Sequence, residues 1–345
     1  MEEIGLQFRT MFAELVQQSL DDRFLEDFST DGSFYKVTAR EREFWYYSSG
    51  MKDGKRVRRY VGPADDVEIT ERVLKFKELK SNTKERRRMI RALNSIGLPS
   101  PDRFTGDIVE ALAKAGFFRL RGVLIGTVAF QTYAGILGVR LPNATMQTGD
   151  SDFAQFHSIS TAVEDSVAPM LEILRSVDPT FREIPHQSDS RKTTRYQNSK
   201  RYLVEFFTPN RGSDDFQGKA SAMPALGGAS AIPLRFLDYL IHEPQNSVLL
   251  HKYAIGVSVP APERYAVHKL IVAARRDKSS VIKRDKDIWQ AGLLIETMNE
   301  LRMQDQLSDA FAEAKGRGPA WRDAIKDGIR MLRPSAAEAV EKILS

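Results

Sequence analysis

Three short stretches decide the fold: Leu124-Ile-Gly-Thr-Val-Ala-Phe130, Thr148-Gly-Asp-Ser-Asp-Phe153 and Leu203-Val-Glu-Phe-Phe207. Each contains apolar, β-branched or aromatic residues over a strand's length, and such residues favour strands. Each also carries a glycine or a carboxylate inside the apolar run or at its end. The three stretches therefore predict three strands that bring polar groups to one site.

The carboxylates of the second and third stretches are the chemically informative groups. Asp150 and Asp152 occupy alternate positions, so their side chains point to the same face of a strand. Like charges so placed repel unless a cation lies between them. Glu205 lies between the apolar residues Val204 and Phe206, so it either faces a site or is unfavourably buried. Three hard oxygen ligands of this kind suit Mg²⁺ or Mn²⁺.

The glycine of the first stretch predicts a tight turn from strand to helix. Gly126 lets the helix start close to the strand, with its first N–H groups free for a phosphate oxygen, and Thr127 adds a hydroxyl donor. Taken alone, each feature is also typical of ordinary structure: a helix start for Gly-Thr, a turn or N-cap for Asp-Ser-Asp, and an edge-strand surface position for Glu205. The order of the three stretches favours a shared nucleotide site.

Composition limits the kinds of chemistry. The 345 residues, 42% of them hydrophobic, can build an ordinary buried core in two or three domains. The absence of cysteine excludes disulfides, thiolate metal sites and a cysteine nucleophile. The five histidines are scattered and form no metal triad, and no serine has a Ser-His-Asp context, which disfavours a hydrolase.

The opening sequence MEEIGLQFRTMFAEL is acidic and amphipathic, unlike a signal peptide, and no apolar run reaches the length of a membrane span. We therefore expect a cytoplasmic protein, bacterial by default, with no membrane partner. The formal charge of +5, from 51 basic and 46 acidic residues, is mild for this length and names no partner by itself.

The first hundred residues are predicted to form an accessory region. Apolar residues at helical spacing predict a helix over Ile4 to Asp27, and Glu43 to Ala64 has the pattern of a β-hairpin. A long charged helix is predicted from Asp66 to Gly97. Two segments mix basic side chains in a way that suits phosphate backbones: residues 40–59, with interleaved aromatics, and KERRRMIR at 84–91. Solvated faces have the same composition, so both interpretations stay open.

The core is predicted over residues 101–260. A helix is expected over Thr127 to Leu137 and another over roughly Ser160 to Val177, between the strands already described. The stretch from Asn210 to Ala231, rich in Gly, Ser, Ala and Asp, is expected to be a long loop or a strand connection. Residues 261–345 are helical in pattern.

This order of motifs resembles the polymerase β-like nucleotidyltransferase superfamily. Within it, the chain looks most like bacterial nucleotidyltransferases related to the abortive-infection and toxin–antitoxin group. That group places a small hydroxyl residue two positions before the first aspartate, as Thr148 stands before Asp150. Its second signature, Lys-Leu followed by Arg and then Lys-Asp, corresponds here to Tyr265-Ala-Val-His-Lys-Leu270, to Arg275 and Arg276, and to Lys283-Arg-Asp-Lys-Asp-Ile-Trp289. The resemblance covers about residues 105 to 300.

The resemblance implies an α/β (α+β) fold with a nucleotidyltransferase-type mixed sheet and flanking helices. It implies a metal-dependent enzyme that moves a nucleoside monophosphate from a nucleoside triphosphate to an acceptor hydroxyl of RNA or tRNA, protein or a small molecule, releasing pyrophosphate. An antitoxin is an implied partner. The implied catalytic residues are Asp150, Asp152, Glu205 and Lys269, of which the three acids would hold Mg²⁺ or Mn²⁺. The implied nucleotide-binding residues are Gly126, Thr127, Thr148, Lys269, Arg275 and Asp287.

An alternative from a different functional class stays open. A chain that kept this fold without turnover would be a nucleic-acid-binding protein, with the basic hairpin and the KERRRMIR segment as its contact surfaces. Whether the three acids converge separates the two hypotheses.

Overall fold

The computed structural model describes residues 2–28, 32–39, 41–52, 55–76, 83–142, 149–187, 189–210 and 219–344. The strands are β1 (Glu2–Glu3), β2 (Ser33–Ala39), β3 (Arg42–Lys52), β4 (Lys55–Pro63), β5 (Val123–Ile125), β6 (Val139–Arg140), β7 (Asp150–Ala154), β8 (Arg182–His186), β9 (Asp189–Gln197), β10 (Leu203–Pro209), β11 (Ser221–Ala222), β12 (Ser230–Leu234), β13 (Gln245–Leu249) and β14 (Ile255–Val259). The helices are α1 (Leu6–Asp27), α2 (Val67–Leu74), α3 (Thr83–Ser95), α4 (Arg103–Lys114), α5 (Gly126–Phe130), α6 (Tyr133–Leu137), α7 (His157–Ala162), α8 (Met170–Arg175), α9 (Leu237–Leu240), α10 (Pro262–Arg275), α11 (Val281–Glu300), α12 (Gln304–Gly316), α13 (Pro319–Arg330) and α14 (Pro334–Leu344).

A mixed sheet of seven described strands forms the centre of the fold. Its strand order is β11-β12-β10-β7-β5, and β9 pairs with both β10 and β8. Strand β10 runs parallel to β7 and to β12 but antiparallel to β9, and β5 runs antiparallel to β7. Helices flank this sheet, so the predicted α/β class with a mixed sheet is confirmed.

One apolar core joins the sheet to helices from both ends of the chain. Leu15 of α1, Ile108 of α4, Leu270 of α10 and Leu294 of α11 are all fully buried in it. Burial of each such side chain contributes roughly 1.5–3 kcal/mol. The core spans all three predicted regions, and the boundaries near residues 100 and 260 stay a prediction.

The first hundred residues contain the predicted hairpin, which is confirmed as β3 and β4 and is extended by β2 into a three-stranded antiparallel sheet. An aromatic cluster packs this sheet against the end of α1. Its members are Phe24, Phe28, Phe34, Tyr47 and Phe76.

Several predicted elements are shorter than their sequence pattern indicates. The strand expected before Gly126 contains only β5, because Arg121 has a left-handed φ of 61° directly before it. The long helix expected from Asp66 ends at Leu74, and α3 begins at Thr83. The helix expected over Ser160 to Val177 is replaced by α7 and α8, and the loop between them is held by Asp165, which accepts hydrogen bonds from the Tyr60 amide and the Arg119 side chain.

The helical pattern beyond residue 260 is confirmed by α10 to α14. Of the Asn210 to Ala231 stretch, residues 211–218 lie outside the described residues. The part that is described contains β11 and the start of β12, which extends the sheet along β10. No helix in the described parts of the chain has the length and apolar character needed to cross a membrane.

Helix α4 is tied to the turn between β13 and β14 by a buried carboxylate. Glu110 accepts hydrogen bonds from Lys114 Nζ at 2.7 Å, Lys252 Nζ at 2.5 Å and Tyr253 Oη at 2.6 Å. Burial alone would raise the pKa of Glu110, but these three donors outweigh burial and lower that pKa to about 2. The ionised carboxylate is therefore a stabilising part of the fold.

We expect Glu110→Gln to lower the free energy of unfolding at neutral pH by roughly 1–3 kcal/mol, because two ammonium groups and a tyrosine hydroxyl lose their charged, buried acceptor. A carboxylate with a depressed pKa stabilises the fold above its unfolded pKa of about 4.3, and this stabilisation is lost as the pH falls through the folded pKa. The difference between the two proteins should therefore shrink between these two values. Denaturant unfolding across this pH range measures it, with the exposed Glu338→Gln as control. A difference that does not change with pH would contradict the prediction.

Candidate functional site

Strand pairing brings the three predicted acids to neighbouring positions. Asp152 of β7 is paired with Glu205 of the parallel strand β10 and, on its other side, with Ile125 of β5. Asp150 lies two residues earlier on β7, so its side chain is on the same face as that of Asp152. Adjacent strands are about 4.8 Å apart, so the three carboxylates share one small area of the sheet.

The opposite face of β7 confirms this alternation. Ser151, between the two aspartates, is buried, and its Oγ lies 2.6 Å from Tyr202 Oη. Tyr202 Oη in turn lies 2.8 Å from Thr105 Oγ1 at the start of α4. The packed side of the strand therefore carries Ser151, and the other side is left for the two aspartates.

Gly126 forms the floor beneath Asp152. Its φ of +68° is in the left-handed region that favours glycine. A β-carbon added there would lie 2.5 Å from Asp152 Oδ2, which is far closer than any van der Waals contact. The turn from β5 into α5 thus needs glycine both for its backbone conformation and for the space taken by the Asp152 carboxylate.

The site has an excess of negative charge around Asp152. Burial, and after it the charges of Asp150 and Glu205, raise the pKa of Asp152 to about 7, and the ammonium groups of Lys269 and Lys283 only partly offset this. A divalent cation at the carboxylates would remove the imbalance. The donor set is made of hard oxygens, which fits Mg²⁺ or Mn²⁺ and not a softer metal.

Glu205 already has a counter-charge within the protein. Arg195, its partner on β9, places Nε 2.6 Å from Glu205 Oε1. The carboxylate oxygens of Asp150, Asp152 and Glu205 also do not all lie within 4.8 Å of one another, as the ligand atoms of a preformed metal site would. The two aspartates are therefore the stronger metal-ligand candidates, and Glu205 shares its charge with Arg195.

A second charged group, on α10 and α11, adjoins the carboxylates. Asp287 is buried, and its two oxygens lie 2.5 Å from Lys269 Nζ and 2.6 Å from Arg276 Nε. Burial would raise the pKa of Asp287, but the two cations outweigh burial and lower it. Asp287 thus fixes the positions of Lys269 and Arg276, and as an anion it is suited to hold these cations and not to contact a phosphate.

Two further lysines of α11 lie near the carboxylates and were not among the predicted site residues. The charge of the Lys283 ammonium group lowers the pKa of Asp152 and so partly offsets the effect of burial. Burial and the neighbouring Lys269 lower the pKa of Lys286, while Asp150, Asp287 and Asp152 counteract this change. The spacing of Lys283, Lys286 and Asp287 on one face of a helix is the sequence signal that could have identified them.

Tyr265 connects α10 and α11 to the Gly126 turn. Its Oη lies 3.0 Å from the Gly126 carbonyl oxygen and 3.0 Å from Gln290 Oε1. With Oε1 so placed, the buried Gln290 Nε2 finds no partner among the described residues. The opposite orientation of the amide lets Nε2 donate to Oη while Oη donates to Gly126. A buried chain of hydrogen bonds then holds the turn that carries Asp152.

Comparison with known families identifies this arrangement. Residues 103–316 match a family described as nucleotidyltransferase. The chain belongs to that family. The matched range includes all of the site residues described above, from Gly126 to Gln290. Comparison with curated proteins and with solved structures gives no match.

The remaining predicted nucleotide-binding residues of this nucleotidyltransferase differ in their placement. Thr127 is partly exposed in α5, directly beside the Gly126 turn. Thr148 lies outside the described residues. Arg275 is exposed and stacks on Phe236, with its guanidinium carbon 5.1 Å from the ring centroid, whereas the neighbouring Arg276 reaches Asp287. Arg276 is therefore a better nucleotide-binding candidate than Arg275.

Another acidic group lies on α4 and the β13–β14 turn of this nucleotidyltransferase. Asp107, Glu110 and His251 each bring one potential ligand atom within 4.8 Å of the others. Lys252 Nζ lies 2.7 Å from Asp107 Oδ1 and 2.5 Å from Glu110 Oε2. Because an ammonium group already lies between these carboxylates, we attribute the group to packing of α4 and not to metal binding.

We expect Gly126→Ala to abolish binding of Mg²⁺ and nucleotide, because the new methyl group displaces the Asp152 carboxylate and the backbone conformation costs about 1–2 kcal/mol in addition. Gly228→Ala is a matched control: Gly228 also has a positive φ, of 81°, but nothing lies within 4 Å of an added β-carbon. Calorimetric titration of both variants, with thermal unfolding measured alongside, tests the prediction. Equal losses of binding in the two variants would contradict it.

Proposed function

We propose that this protein moves a nucleoside monophosphate from a nucleoside triphosphate to an acceptor hydroxyl in a metal-dependent reaction. The observation that carries the proposal is the partly buried carboxylate of Asp152, which lies beside Asp150 and Glu205 while lysines of α10 and α11 adjoin it. Carboxylates in this environment attract a divalent cation, and the adjoining ammonium groups attract a phosphate chain.

In the proposed reaction the acceptor oxygen forms a bond to the α-phosphorus, and the bond from that phosphorus to the β-phosphate oxygen breaks. Pyrophosphate leaves, and the hydroxyl proton passes to solvent. Asp150 and Asp152 would hold Mg²⁺ or Mn²⁺, with Glu205 as the third acid. When bound, the metal polarises the phosphate and lowers the pKa of the acceptor hydroxyl.

The chain's own cations would orient the triphosphate. Asp287 of α11 holds Lys269 and Arg276 through ion pairs. Lys283 and Lys286 are also residues of α11. Cations fixed in position before the substrate binds need little rearrangement, and the rate then depends mainly on positioning and electrostatics.

We also propose a superfamily and a narrower group for this enzyme. Gly126 follows β5, Asp150 and Asp152 lie on β7, and Glu205 lies on β10, which are adjacent strands of the sheet. This order supports a place in the polymerase β-like superfamily. The Lys269 and Asp287 signature supports a relation to the bacterial toxin–antitoxin group, in which an RNA acceptor and an antitoxin partner are expected.

We expect Asp150→Asn and Asp152→Asn each to reduce nucleotidyl transfer at least about a hundredfold, because each removes a metal ligand. Both variants should fold at least as stably as the wild type, because a repelling negative charge is removed. Transfer is measured with each α-labelled nucleoside triphosphate, Mg²⁺ or Mn²⁺, and cellular RNA or protein as acceptor. Asp285→Asn, an exposed acid on α11, is the control. A stable Asp152→Asn variant with wild-type transfer would rule out the assignment.

The two neighbouring arginines give a sharper test of the phosphate site. We expect Arg276→Gln to weaken nucleotide binding about tenfold, because a hydrogen bond between charged groups is lost. Arg275→Gln should leave the dissociation constant unchanged, because Arg275 packs on Phe236. Titration of a non-hydrolysable nucleoside triphosphate into both variants provides the measurement. If Arg275→Gln weakens binding more than Arg276→Gln, the cation group around Asp287 is not the phosphate site.

A further inference from the structure

Helix α3 has two faces of opposite character. Its buried residues are Arg86, Met89, Ile90 and Leu93. On the opposite side lies a row of exposed cations at the helical spacing i, i+3, i+4 and i+7, which we call the α3 basic stripe: Lys84, Arg87, Arg88 and Arg91. The single acidic residue of the helix, Glu85, lies beside the stripe and not within it.

The stripe residues have no ion-pair partner among the described residues. This distinguishes them from the cations of the β3–β4 hairpin. There, Arg58 pairs with Glu164 at 2.8 Å and stacks on Tyr46, and Arg59 donates to the Asp27 carbonyl oxygen at 2.6 Å. Arg58 and Arg59, whose side chains the structure describes, therefore have partners within the protein, while α3 presents its charge to solvent.

The buried face fixes the orientation of α3. Arg86 is only 1% exposed, forms an ion pair with Asp22 of α1, and donates to Ser19 Oγ at 3.3 Å. Its guanidinium carbon also lies 5.2 Å from the Tyr253 ring centroid. A buried ion pair of this kind tolerates little rotation of the helix. The stripe is thus a rigid feature of the surface.

A groove of about 660 Å³ runs along the stripe. Lys84, Arg87 and Arg91 line one wall, and Lys252 of the β13–β14 turn lines the other. The groove contains no aromatic ring and no acidic side chain among its lining residues. The wall formed by the stripe offers positive charge, and the groove has no ring on which a base could stack.

We propose that the α3 basic stripe binds the phosphate backbone of an RNA helix. Four cations along about 10 Å of helix axis match closely spaced phosphates, and neutralisation of phosphate charge supplies most of the affinity in such binding. The lack of aromatic rings disfavours single-stranded RNA, which is usually bound by base stacking. An RNA helix hides its base edges in a deep, narrow major groove and is recognised mainly through its backbone and shape, which suits a surface with no base-reading groups. This surface would hold the acceptor, and in that sense the inference rests on the proposed function.

The test is RNA binding measured without nucleotide or turnover, so that its outcome is independent of catalysis. Fluorescence anisotropy with a labelled RNA hairpin is recorded from 50 to 200 mM KCl. If the stripe makes four phosphate contacts with a double helix, the logarithmic salt slope is about −3.6, and affinity falls about 150-fold over this range. Replacing Lys84, Arg87, Arg88 and Arg91 with Gln should remove most of this slope. Replacing the three arginines with Lys should preserve it, because the charge is kept.

A matched control removes the same formal charge elsewhere. Arg322, Lys326, Arg330 and Lys342 are exposed on α13 and α14, and their replacement with Gln should leave the salt slope unchanged. Nucleotide titration should give wild-type affinity in both glutamine variants. The proposal is overturned if the stripe variant binds the hairpin as well as the control variant does. It is also overturned if the wild type prefers an unstructured RNA of the same length by tenfold or more.

Discussion

The contact between the Asp152 carboxylate and Gly126 is the constraint around which the site is built. Burial and the neighbouring charges of Asp150 on β7 and Glu205 on β10 raise the pKa of Asp152 to about 7, so the fold holds these three acids together against their repulsion. The Asp152 carboxylate can take its position only because residue 126 has no β-carbon. The Gly126 turn is in turn held by Tyr265, whose pKa is raised far above its usual range by burial, so its hydroxyl keeps the proton that it donates.

The helices α10 and α11 complete the same electrostatic arrangement from the other side. Buried Asp287 holds one cation from each of two separate places in the chain, Lys269 within α10 and Arg276 directly after it. The acids of β7 and β10 therefore adjoin the cations that Asp287 holds. A metal–nucleotide complex of the proposed reaction would complement the charge of both groups. The family match over residues 103–316 covers both groups.

How much of the site could be predicted from the sequence depends on whether each interaction is local in the chain or joins residues that are distant in it. Alternation along β7 and the left-handed conformation at Gly126 are local, and the sequence was sufficient to predict that Asp150 and Asp152 share a face. The pairing of Glu205 with Arg195 depends on β9, whose charged residues conceal a strand from composition alone. The choice between Arg275 and Arg276 depends on where α10 ends, since one residue of rotation decides whether the guanidinium reaches Asp287 or Phe236. Tertiary contacts set both outcomes.

The first hundred residues show why counts of basic residues cannot identify a binding surface. The hairpin and α3 have similar charge in sequence, and both suited a polyanion equally well. Their difference comes from neighbours distant in the chain: Glu164 lies beside Arg58 and neutralises it, whereas the stripe on α3 has no acid opposite it among the described residues. The one cation of α3 that is neutralised is Arg86, which Asp22 holds on the buried face. The structure therefore separates cations that stabilise the fold from cations that are available to a partner, and within the described residues α3 presents the second kind as an ordered row.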